Sequence, residues 1–214
     1  MKKRILFFAR LYLVNLFVAL NAYAEVTISI VDQHNKPVSD AVVFVNNSEI
    51  VRAKSYPVAV MDQVNRQFLP RVLIINKGQD VTFPNSDNTR HHVYSFSNPN
   101  NFEIKLYSQK TTDLVRFNHA GIVILGCNIH DRMKGYIFVA DNGSAVLSNE
   151  QGLATLPINK PKRVSLWHER LSSDAATTKS YELIDQDASG AWSLKLNLKP
   201  VARKIKKSFK SRFK

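Results

Sequence analysis

Cysteine is almost missing from this chain. Cys127 is its only one in 214 residues, so no internal disulfide can staple the fold. A lone cysteine in an exported chain is a free thiol, a link to another molecule or a metal ligand. Methionine is nearly as scarce: past Met1 there are only Met61 and Met133. That scarcity argues against an open, Met-rich site for handing metal on. Beyond residue 24 no apolar run is long enough to span a bilayer as a helix. Before the carboxyl end no stretch has the periodicity of an amphipathic helix. His34, His119 and His168 are scattered, which leaves no second histidine cluster for an enzyme with two metal centres. No third group stands beside Cys127 and His130 to orient them as a nucleophile and its base. The reading is of a protein that is not an enzyme.

Acids are outnumbered, 17 to 30, giving a formal charge of +13. The excess sits at the two ends. Residues 1–24 read as a secretory leader, with Lys2, Lys3 and Arg4 before an apolar run and Ala22-Tyr23-Ala24 as the cleavage site. Cleavage there would start the mature chain at Glu25 in the periplasm. Residues 199–214 carry eight Lys and Arg and no acid. Within this tail Val201, Ile205, Phe209 and Phe213 recur every fourth residue, and Pro200 can open a helix. The tail at 200–214 is thus expected to be a basic amphipathic segment for an anionic membrane surface or an acidic partner; a solvated basic tail is the plainer alternative. The chain is exported and has no base-reading motif, so nucleic acid is not expected as a partner.

Strand signals fill the rest. Residues 26–31 alternate with period two, and Trp192, Leu194, Leu196 and Leu198 do the same near the other end. Further strands are predicted at 41–45, 58–61, 71–76, 80–83, 91–97, 102–106, 112–117, 121–126, 135–140, 153–156, 163–168 and 180–183. Residues 122–125, Ile-Val-Ile-Leu, form a continuous apolar run that suits a strand buried on both faces. The expected class is all-β, as two β-sandwich units.

The chemistry is concentrated where that apolar run ends. Cys127, His130 and Met133 follow one another at C-x2-H-x2-M spacing, and the pair His91-His92 lies upstream. One thiolate, two imidazoles and one thioether are the donors of a blue-copper site, with a weak axial Met. Without its neighbours Cys127 would be read as a small hydrophobe and Met133 as core filling. Adjacent residues on a strand point to opposite faces, so one of His91 and His92 faces the metal. Asn85 is a candidate for holding the two ligand segments together. Arg90 and Arg132 flank ligands, and could meet an acidic partner or simply be solvated charges.

These residues carry a resemblance. The segment 61–141 resembles a cupredoxin, with a ligand loop similar to those of amicyanin and pseudoazurin. Met61-Asp62-Gln63, Phe68-Leu69-Pro70, the run Arg90 to Ser97 and Cys127-Asn128-Ile129-His130-Asp131 resemble periplasmic methylamine-utilisation-type or plastocyanin-like proteins. The resemblance implies a Greek-key β-sandwich and one type 1 copper held by His91, Cys127, His130 and Met133. It also implies single-electron carriage between redox protein partners, with His130 as the exit; copper delivery or sequestration without redox turnover is the alternative. Ile129 stands where many cupredoxins have proline. The flanks resemble the strands of a transthyretin-like or carboxypeptidase-regulatory-like sandwich. The expected organisation is therefore a leader at 1–24, flanking strands at 25–55 and 143–199 around a cupredoxin at 56–142, and the tail at 200–214.

Overall fold

The computed structural model describes residues 25–46, 55–108, 113–141, 143–159, 161–186 and 190–201. The expected leader and most of the basic tail lie outside the described residues. Among the described residues there are 17 strands and no helix. In chain order they begin with β1 (Val26–Asp32), β2 (Val42–Asn46), β3 (Ala59–Val60), β4 (Asp62–Val64), β5 (Gln67–Leu69) and β6 (Val72–Asn76). Next come β7 (Gln79–Thr82), β8 (His91–Ser95), β9 (Phe102–Tyr107), β10 (Leu114–Phe117), β11 (Gly121–Cys127) and β12 (Lys134–Ala140). The last five are β13 (Gly143–Leu147), β14 (Leu153–Leu156), β15 (Arg163–Trp167), β16 (Thr178–Glu182) and β17 (Trp192–Leu196).

The ladders sort these strands into two groups. β1 and β2 pair only with strands that follow residue 142, giving the sheets β14-β1-β17 and β13-β2-β15-β16. β3 to β12 pair among themselves, as β6-β12-β11-β8-β9, β10-β7-β3 and the hairpin β4-β5.

Period-two alternation stacks the sheets in layers. On β2, Val43 packs with the β1, β14 and β17 side chains, whereas Val42 and Phe44 face the other way. On β12, Ile137 and Val139 join the core under β7 and β10, whereas Tyr136, Phe138 and Ala140 meet Val42 and Trp167. The five-stranded sheet therefore has apolar side chains on both faces. This explains the continuous apolar run in β11: Val123 and Leu125 go to one core, Ile122 and Ile124 to the other. The metal-ligand candidates belong to the first core, and the flanking sheet closes the second.

One buried polar group in the flank has a pH signature. His168 is buried just after β15 and accepts the Arg170 backbone N–H on Nδ1 at 3.1 Å. Burial drives its pKa down to about 4; Arg170 and Arg71 act in the same direction, against Glu169. Above pH 6.5 both folded and unfolded chains carry this residue neutral. As the pH falls below that, only the unfolded chain takes up the proton, so stability is lost down to about pH 4. The loss for this residue is about 3 kcal/mol in all. Urea midpoints at pH 7 and pH 5 should therefore converge for His168→Gln relative to wild type. An equal pH dependence in both would refute the assignment.

Candidate metal centre

β8 opens on His91, and its burial alternates. His91, Val93 and Ser95 point into the core, while His92 and Tyr94 point out. His91 has no exposed surface. His92 instead lies 2.8 Å from Glu103 on β9, through Nε2. Strand geometry thus separates the two neighbours.

β11 runs beside β8, with Gly126 opposite Tyr94 and Cys127 opposite Val93. That register brings Cys127 next to the strand of His91. It also explains Gly126: a Cβ there would lie 2.7 Å from the Tyr94 ring. After Cys127 the chain makes two successive tight turns. The His130 N–H donates to Cys127 O at 3.3 Å, and the Met133 N–H donates to His130 O at 2.8 Å. Gly126 pairs with Lys134, which closes the loop's ends. Two three-residue turns between clamped ends are the physical meaning of the C-x2-H-x2-M spacing.

The donor atoms converge. His91 Nδ1 and His130 Nδ1 are 3.2 Å apart, and each lies 3.6 Å from Cys127 Sγ. A trigonal metal with bonds of about 2.0 Å to nitrogen and 2.3 Å to sulfur would set those edges at about 3.5 Å and 3.7 Å. The triangle already has nearly those dimensions. Met133 is 2 % exposed and packs in the same cluster as Cys127, which is 4 % exposed. The chemistry of the set, soft sulfur with imidazole, suits copper.

The groups behind His91 fix its state. His91 Nε2 lies 2.7 Å from Asp87 Oδ2, and a carboxylate that only accepts favours a proton on Nε2, while Nδ1 faces Cys127. Burial resists ionisation of Asp87, yet the backbone N–H groups of Arg66 and Asn65 and the His91 ring hold its carboxyl below the usual range. Desolvation lowers the pKa of His130, with the neighbouring His91 and Arg66 side chains acting in the same sense and Asp87 opposing them. A neutral imidazole is the form that binds a metal.

Asn85 is buried and ties the first ligand loop together. Its Nδ2 donates to Thr89 O at 2.8 Å, and its Oδ1 accepts the Asp87 N–H at 3.0 Å. Beneath it, Gln63 Nε2 donates to Pro84 O at 2.9 Å and Tyr107 Oη donates to Phe83 O at 2.6 Å. Gln63 and Tyr107 also bond to each other, and burial raises the Tyr107 pKa to about 12. Sequence reading missed Asp87, Gln63 and Tyr107. An acid four residues before a histidine is a common spacing, and only the fold gives it meaning. His34, His119, Arg90 and Arg132 are exposed, and neither of these two histidines is in the donor group.

No protein-family model matches the chain, and no curated protein matches it. Solved structures do. A copper-containing nitrite reductase from Thermus scotoductus aligns at 24 % identity and TM-score 0.37, over 44 % of this chain and 25 % of its own. Amicyanin from Paracoccus versutus aligns at 22 % identity and TM-score 0.35, over 46 % of this chain and 97 % of its own. The reduced Cu(I) form of an amicyanin variant gives 18 %, 0.36, 47 % and 99 % respectively. The chain thus spans a quarter of the reductase chain, and each similarity covers less than half of this one. In this chain His91, Cys127 and His130 form a group that could hold a metal ion, and the buried Met133 packs in the same cluster as Cys127.

Proposed function

We propose that this protein carries single electrons in the periplasm through one type 1 copper. The observation that supports it is the triangle of His91 Nδ1, His130 Nδ1 and Cys127 Sγ, whose sides are 3.2, 3.6 and 3.6 Å. Copper bound there supplies a one-electron couple. Cys127 and Met133 supply soft sulfur, which favours the reduced ion, while His91 and His130 serve both oxidation states. The surrounding sheets hold the four side chains in place, so the donors need little rearrangement when the charge changes. Core packing keeps water from His91, Cys127 and Met133. His130 is only half-buried, and its ring is the donor nearest to solvent, which makes it the natural exit toward a partner's redox centre.

Among the described residues the donor cluster of His, Cys and acids is this one. In this reading, residues 1–24 direct export and are removed, and the basic tail draws the protein to an anionic membrane or an acidic redox partner. Voltammetry of the copper-loaded mature chain, Glu25 to Lys214, should give a reversible one-electron wave that persists in the presence of a moderate chelator. No reversible wave together with rapid loss of copper to the chelator would mean copper delivery instead.

A further inference from the structure

The hairpin β4-β5 is short and exposed at its turn, yet it touches both segments that carry the ligands. Its turn, Asn65-Arg66, has φ of +53° and +58°. Two consecutive left-handed residues point successive backbone N–H groups to one side, forming a concave anion site. Asp87 occupies that site. The Asn65 N–H donates to Oδ1 at 2.6 Å and the Arg66 N–H to Oδ2 at 2.8 Å, and Oδ2 also takes His91 Nε2.

β4 then runs alongside the loop that holds Asp87. The Gln63 N–H donates to Pro84 O at 3.2 Å, and the Ser86 N–H to Gln63 O at 3.1 Å. Ser86 Oγ donates to Asp62 Oδ2 at 2.7 Å. On the returning strand Phe68 is buried over Gly135, where an added Cβ would come within 2.7 Å of the Phe68 Cβ. Gly135 lies two residues past Met133. One arm of the hairpin thus reaches His91 through Asp87, and the other rests on the end of the Cys127–Met133 loop.

We propose that the β4-β5 hairpin is a positioning clasp for the metal centre, and that Asp87, gripped by the backbone amides of Asn65 and Arg66, is the residue through which it sets the tautomer and orientation of His91. The role rests on the copper reading only for its purpose; the contact itself belongs to the metal-free protein. A carboxylate without the turn would be free to swing from His91, and the turn without the carboxylate would lose the acceptor that its two N–H groups share. Side-chain exposure is 0 % for His91 and 10 % for Asp87, so water is a poor substitute for the carboxylate at His91. Removing the carboxylate frees the His91 proton to move to Nδ1, the atom needed by the metal.

The test is nitrogen-15 NMR of the imidazoles in the metal-free mature protein, with copper affinity measured separately. Wild type must show His91 protonated on Nε2, with that proton exchanging slowly. Asp87→Asn, of the same shape, should shift His91 toward the Nδ1-protonated tautomer and weaken copper binding about 10- to 100-fold. Asp87→Ala should do the same, so that the result does not rest on one variant's folding, which circular dichroism checks. A wild-type His91 protonated on Nδ1, or an unchanged tautomer in both folded variants, would overturn the clasp whether or not copper binds. Weak copper binding by wild type with the expected tautomer change would count against the copper reading and leave the clasp standing.

Discussion

Cys127→Ser should lower the affinity for Cu(I) by more than about a hundredfold, since even groups behind the ligands alter metal affinity 10- to 100-fold. The substitution changes one buried atom. Sγ is the shared vertex of both 3.6 Å contacts to the imidazoles. A hydroxyl fits the space and can hydrogen-bond to a ring nitrogen, so the metal-free fold should survive with a melting temperature close to that of wild type. Oxygen is a hard donor, and the soft-ligand preference for Cu(I) goes with the sulfur. Competition against a Cu(I) chelator of known affinity reads the loss. An affinity within a few-fold of wild type would show that Cys127 is only a small core residue.

The second large effect concerns the layer between the flanking sheet and the metal-bearing sheet. Trp167 is fully buried there, its ring tilted against Tyr136 of β12 with 5.2 Å between centroids, and donates Nε1–H to Ala175 O at 2.7 Å. Trp167→Ala should cost about 3–5 kcal/mol, the usual range for losing a buried large aromatic. It also leaves the Ala175 carbonyl without its indole donor. For a chain of this size the melting temperature should drop by roughly 10 °C. A loss under about 1 kcal/mol by urea denaturation would mean that the two sheets contribute little to each other's stability.

Much of this molecule could be read from its sequence, for reasons visible residue by residue. β1 and β17 have one face on the core and one outward, and their period-two pattern is plain in 26–31 and at Trp192, Leu194 and Leu196. β11 also stood out, because a strand between two apolar cores must be apolar throughout. The hairpin β4-β5 was not legible. Its strands have three residues each, and its turn uses Asn65 and Arg66 where a glycine would have advertised positive φ. β13 was missed too: Gly143-Ser144-Ala145 is poor in β-formers and owes its pairing to β2.

The candidate site divides the same way. Cys127, His130 and Met133 are legible because three-residue turns write their spacing directly into the sequence. The choice between His91 and His92 was open in the sequence; in the fold His91 is buried with Nδ1 3.6 Å from Cys127 Sγ, while His92 lies beside Glu103. Asp87 could not be found, since its meaning comes from a hairpin some twenty residues earlier that the sequence does not announce.

The central claim is a copper ion bound by a thiolate and two imidazoles. Visible absorption and EPR spectra of the mature chain with one equivalent of Cu(II), beside Cys127→Ser, test it most directly. The account predicts an intense thiolate-to-copper band and a narrow copper hyperfine splitting, both absent from the variant. A colourless protein with an ordinary Cu(II) spectrum, the same in both chains, would contradict it.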